Sequence, residues 1–142
     1  MRLRLEPSTD PRAYAFRHPV RVRFAETDAM GIVHHGAYLL YLEEARVAFL
    51  EAIGHPYASV RAAGIDFAVL EVAVNYRRPL RFDDLVDVHA ALGGATRATF
   101  QIGYLLTIGA TAHATAVTVH GCVDSAGRPT RMPGWLRDEL AR

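Results

Sequence analysis

Residues 36–53 contain no interior glycine or proline, and Leu39, Leu42, Ala45, Phe49 and Ile53 recur at helical spacing. Gly54, followed by His55 and Pro56, supplies the stop signal. The predicted helix is apolar over most of its girth, with its charges confined to Glu43, Glu44, Arg46 and Glu51. A helix of that kind must be wrapped by protein on more than one side. This requirement constrains the fold more than any other feature, because the rest of the chain has to supply the wrapping surface.

The residues after position 65 have the pattern to do so. Phe67–Tyr76 alternates and is broken by Arg77-Arg78-Pro79, and Leu85–Leu92 places Val86, Val88, Ala90 and Leu92 on one face. Gly93-Gly94 is a hairpin signal. Phe100, Ile102, Tyr104 and Leu106 then alternate with Thr99, Gln101 and Thr107, and Gly109 marks the next turn. In the strand Ala110–Asp124, Ala112, Ala114 and Ala116 share a face small enough for a helix to lie close. Val20–Thr27 reads as a further strand, residues 57–63 as a short helix, and Pro133 starts a short C-terminal helix. Strands joined by tight turns pair antiparallel. The expected class is α+β, a five-stranded antiparallel sheet curled around one long helix. The 142 residues suit a single domain over 19–142, preceded by a proline-bearing extension over 1–18.

Composition narrows the function. The net charge is +1, without the basic footprint of a nucleic-acid binder, so no nucleic-acid partner is expected. No apolar run is long enough to span a bilayer or patterned as a signal peptide, which makes membrane insertion unexpected and a cytoplasmic location the default. The single cysteine, Cys122, lies in an apolar alternating run and reads as a buried structural thiol. There is no lysine, so any anion-binding surface must use arginine, whose planar fork suits phosphate.

The chemistry concentrates in Arg23–Leu39. A strand-like run ends in a loop bearing one carboxylate, Asp28, passes Gly31 and the pair His34-His35, and enters the long helix. An acid and an imidazole thus stand beside a helix N-terminus, where free amide N–H groups can hold an anion. Asp28 can equally cap a turn. Adjacent histidines are not a metal-ligand spacing, and no metal site is expected. His34 reads as structural. Arg77, Arg78 and Arg81 form a compact basic group around Pro79, either a phosphate contact or a solvated strand end.

The run Phe24-Ala-Glu-Thr-Asp28-Ala-Met-Gly31-Ile-Val33-His34-His35-Gly-Ala-Tyr38-Leu39, with Glu43-Glu44-Ala45-Arg46 after it, resembles the 4-hydroxybenzoyl-CoA thioesterase family of hotdog-fold proteins. Its Tol-Pal-associated acyl-CoA thioesterase branch looks closest. Val74-Asn75-Tyr76-Arg77-Arg78-Pro79-Leu80 and Gly127-Arg128-Pro129 also match, so the resemblance extends over roughly residues 18–137. Phe24 and His34 depart from it, standing where relatives carry tyrosine. The resemblance implies a hotdog fold, a homodimer or homotetramer with sites at subunit interfaces, and hydrolysis of an acyl-CoA thioester. It implies no metal or redox cofactor, coenzyme A entering only as part of the substrate. By position it makes Asp28 the catalytic carboxylate, and puts His35 in the place of the histidine seven residues further on.

The expected mechanism has Asp28 attack the thioester carbonyl or act as base for water. Backbone N–H groups of His35 and Gly36 would polarise the carbonyl. Tyr38, Asn75, Arg77 and Arg78 are the expected substrate-binding residues, with Glu44 in reserve as an alternative helix carboxylate. Two other functions stay open: a hotdog hydratase or dehydratase, and a non-catalytic acyl-thioester-binding protein.

Overall fold

The computed structural model describes residues 6–142. Five strands form one antiparallel sheet among them: β1 (Phe16–Arg21), β2 (Asp66–Tyr76), β3 (Leu85–Ala95), β4 (Thr99–Ile108) and β5 (Thr111–Val123). Their order is β1-β3-β4-β5-β2. The helices are α1 (Tyr38–Ala52), α2 (Tyr57–Ala62) and α3 (Gly134–Leu140). This is the expected α+β hotdog arrangement, with α1 lying against β1 and β3.

Alternation in the strands becomes burial in the fold. Val86, Val88 and Ala90 of β3, Phe100, Ile102, Tyr104 and Leu106 of β4, and Ala114, Ala116 and Cys122 of β5 join one core with Tyr38, Tyr41, Leu42, Ala45 and Leu50 of α1. Burial pushes the Cys122 thiol up to about 11, as befits a structural side chain. α1 ends where Gly54 takes φ +90°, letting the His55 N–H reach the Leu50 carbonyl at 2.8 Å and the Gly54 N–H the Glu51 carbonyl at 3.0 Å. These two bonds are the paired closure of a left-handed C-terminal cap. His55 then stacks on Trp135 at 3.7 Å, which docks α3.

The helix is wrapped on one side only by its own chain. Leu39, Leu40 and Val47 stay exposed on the other. Arg46, one of the four helix charges, is buried against the sheet. There the Tyr104 hydroxyl, Thr118 and His120 form a hydrogen-bonded row at 2.7 Å per step. Burial, then the Arg46 charge, pulls His120 down to about 3, so it is neutral in the fold.

The first strand is displaced from expectation. It runs Phe16–Arg21 rather than Val20–Thr27, and Phe24–Glu26 is a 3-10 turn. Pro19 lies inside this strand. β1 pairs only with β3, and proline is tolerated on such an edge because no second neighbour needs its missing N–H. The expected extension over 1–18 therefore gives its last residues to the sheet, while residues 1–5 of it lie outside the described residues. The remainder crosses the face of the sheet away from α1, where Tyr14 meets the ring of His89 at 5.7 Å and donates to the Ser8 carbonyl at 2.7 Å.

Candidate active site

The loop between β1 and α1 is built by short-range hydrogen bonds. The Asp28 N–H donates to the Ile32 carbonyl at 2.8 Å, and the Gly31 N–H to the Asp28 carbonyl at 2.9 Å. Gly31 sits at φ +79°, a conformation that favours glycine. The Asp28 Oδ1 accepts the Met30 N–H at 2.8 Å. Asp28 therefore shapes the turn through one carboxylate oxygen, while Oδ2 has no protein partner among the described residues. Turn-forming and chemical readings of Asp28 are compatible, since each uses a different oxygen.

Glu26 anchors this loop, and sequence reasoning missed it. It is 7% exposed. Its carboxylate accepts the Arg23 N–H at 2.8 Å, the Arg23 Nε–H at 2.8 Å and the Tyr41 hydroxyl at 2.7 Å. Burial alone would raise the carboxyl, but these hydrogen bonds from Arg23 and Tyr41 outweigh it and hold Glu26 below the usual range. Its carbonyl takes the His34 N–H at 2.8 Å. The Arg23-to-Glu26 spacing was the only sequence signal for this anchor, and Tyr41 lies too far along the chain to be paired from pattern.

At the helix entrance the structure separates the two expected amide donors. His35–Ala37 forms a 3-10 turn that leads into α1. The Gly36 N–H donates to the His34 Nδ1 at 3.1 Å, so the second expected oxyanion donor is already engaged. The reason is local: His34 stands at the N-cap, and its ring folds back onto the turn. The His35 N–H has no acceptor among the described residues. The His34 and His35 rings lie 4.2 Å apart, both exposed.

Asp28, Met30, Ile32, Val33, His35, Tyr38, Tyr76, Arg77, Arg78 and Pro79 line one open cleft of about 430 Å³. Four of the expected side chains beside Asp28 thus come together: His35, Tyr38, Arg77 and Arg78. The backbone N–H groups of Arg77 and Arg78 both donate to the His113 carbonyl, at 2.9 and 3.0 Å, which ends β2. Their guanidinium groups are exposed and form no ion pair among the described residues, and they border a second, polar groove with Thr9 and Thr111. Tyr38 and Tyr76 meet edge to face at 4.8 Å inside the cleft.

Two expected residues lie elsewhere. Asn75 lies outside this cleft, in an adjoining groove with Glu6, Pro7 and Val117, and Tyr76 borders both. Glu44 is on the exposed side of α1, where its carboxylate meets the His18 Nε2 at 2.7 Å in a groove that holds neither Asp28 nor His35. Within a single chain it is not part of the cleft.

The chain matches the model of the thioesterase-like superfamily over residues 22–140, and it belongs to that superfamily. Among relatives, an Aquifex aeolicus protein named "Putative esterase" is 41% identical over 113 residues, covering 80% of this chain and 88% of that one. The acyl-CoA thioester hydrolase YbgC of Escherichia coli O6:H1 is 34% identical over 77 residues, covering 54% of this chain and 58% of its own length. The crystal structure of a hypothetical protein from Aquifex aeolicus superimposes with a TM-score of 0.83 at 38% identity, covering 88% of this chain and 98% of that chain.

Proposed function

We propose that this protein is an acyl-CoA thioesterase of the 4-hydroxybenzoyl-CoA type, close to the Tol-Pal-associated branch, and that Asp28 is its catalytic carboxylate. One observation carries the reading. Asp28, with one untethered oxygen, shares a cleft with the His35 turn, whose N–H lacks an acceptor. Thioester hydrolysis needs those two groups: an oxygen nucleophile or base, and a donor for the developing oxyanion. The thioester hydrolase name of the YbgC relative agrees with it.

In this reading the thioester carbonyl sits between Asp28 and the His35 N–H. Asp28 attacks the carbonyl carbon, or takes a proton from a water that does. A C–O bond forms, the C–S bond breaks as the tetrahedral adduct collapses, and coenzyme A leaves as a thiolate that is then protonated. The attack by Asp28 gives an anhydride that water opens to the free acid. His35 orients the thioester or carries the proton. Met30, Ile32, Tyr38 and Tyr76 face the acyl group, while Arg77 and Arg78 at the mouth face the phosphates of coenzyme A. An acid and an amide donor supply the whole reaction, so the activity should survive exhaustive chelation.

The active unit in this proposal is a homodimer, or a tetramer of two dimers. β2 is an edge strand with Val69, Leu70, Val72 and Tyr76 exposed, and α1 leaves Leu39, Leu40 and Val47 bare. A second copy pairing along β2 would cover that edge and close the cleft. The test of the function is thiol release across acyl-CoAs that vary in chain length and ring content. Turnover of at least one class is expected, and inactivity on all of them would overturn the proposal.

A further inference from the structure

We infer that Tyr76 is a positioning residue, holding the His35 turn so that its N–H faces the thioester oxygen. The inference rests on the assignment of Asp28 and the His35 N–H made above. The Tyr76 hydroxyl donates to the His35 carbonyl at 2.8 Å. This bond joins the last residue of β2 to the turn that opens α1, 41 positions earlier.

Each peptide unit around His35 is held by a different partner. The His34 carbonyl accepts the Ala37 N–H at 2.9 Å, and the Gly36 N–H is bound by the His34 ring. The His35 carbonyl is held by Tyr76. The His35 N–H alone is left with no acceptor among the described residues. An oxyanion donor works by being aimed before the charge develops, and small errors in its direction weaken it. Tyr76 is itself well placed to impose that aim. Its backbone is fixed by pairing with Ala114 on β5, and its ring abuts the edge of Tyr38, which is 3% exposed.

The Tyr76 hydroxyl makes one neutral hydrogen bond, which adds little to the stability of the fold. Catalysis and stability should therefore respond differently to its removal. The experiment compares Tyr76→Phe, Tyr76→Leu and Asp28→Asn with the wild type. Steady-state kinetics on an accepted acyl-CoA are combined with binding of a non-hydrolysable thioether analogue and thermal unfolding. Tyr76→Phe keeps the ring and loses only the hydroxyl. Its kcat should fall on the order of tenfold, the size of one neutral hydrogen bond. KM and analogue affinity should stay within about twofold, and the unfolding temperature should hardly move.

Full kcat in Tyr76→Phe would overturn the inference, as would a raised KM at unchanged kcat, which would make Tyr76 a simple acyl contact. Loss confined to Tyr76→Leu would assign the effect to ring packing and also overturn it. Asp28→Asn separates the two levels. If it is inactive while Tyr76→Phe is normal, only the role of Tyr76 fails. Wild-type turnover by Asp28→Asn would remove the underlying site assignment, and the inference with it.

Discussion

Replacing Glu26 with alanine should cost this protein about 3 kcal/mol of stability. The figure follows from what the carboxylate leaves behind. The Tyr41 hydroxyl, on a residue 2% exposed, loses its acceptor at 2.7 Å. A buried donor without a partner costs about 1–3 kcal/mol. The Arg23 N–H loses its acceptor at 2.8 Å and adds a smaller amount. The Arg23 guanidinium contributes little, because its side chain is 75% exposed and water replaces the ion pair. Tyr41→Phe, which removes the donor rather than stranding it, should cost only about 1 kcal/mol. The double variant should then be more stable than the sum of the two predicts, since stranding of the Tyr41 hydroxyl is counted once. Urea unfolding of the four proteins in a double-mutant cycle measures this, with an expected coupling of about 1–2 kcal/mol. Additive costs, or a Glu26→Ala protein within about 1 kcal/mol of wild type, would refute the claim that Glu26 anchors the loop. Turnover should also fall in Glu26→Ala even where it is fully folded, because losing the carboxylate's bonds to Arg23 and Tyr41 loosens the 3-10 turn whose backbone carbonyl positions the His34 N–H.

The other predictions concern pH and substrate. An imidazole binds a proton near pH 6.5 in the unfolded chain, but His120 does so only at about 3 in the fold. Between those values unfolding takes up a proton, so stability should drop as the pH falls, by about 2 kcal/mol at about pH 5 from this residue alone. Burial lowers His89 too, which acts in the same direction. Urea midpoints across that range should show the slope, and His120→Leu should flatten it; an unchanged slope would contradict the neutral buried state. Replacing Arg77 and Arg78 together with alanine should raise KM for acyl-CoA about tenfold or more, and leave a thioester lacking the nucleotide nearly unaffected. Equal effects on both substrates would remove the phosphate role.

The sheet was legible because its strands alternate cleanly: the inward residues of β4 can be read directly from the spacing of Phe100, Ile102, Tyr104 and Leu106. The Schellman-type end of α1 was legible for a similar reason, since Gly54 supplies the required positive φ locally. The displaced β1 was not, because edge position depends on strand order, and only that order makes Pro19 acceptable. Within the site, Asp28 and the turn at His35 were visible as a contiguous motif. The partners that hold them were not. Tyr41 reaches Glu26 and Tyr76 reaches His35 through tertiary contacts. Asn75 falls outside the Asp28 cleft of the single chain because adjacent strand residues point to opposite faces of β2. The engagement of the Gly36 N–H was not legible, because it depends on how the His34 ring folds back onto its own turn.

Turnover of Asp28→Asn tests the catalytic role of Asp28 most directly. The substitution keeps Oδ1 as an acceptor for the Met30 N–H, so the turn and the fold should persist, which circular dichroism and unfolding can verify. The thiol-release rate on the best acyl-CoA should fall by at least about a hundredfold, with analogue binding retained. A folded Asp28→Asn protein that still hydrolyses the thioester at a near-wild-type rate would contradict the account.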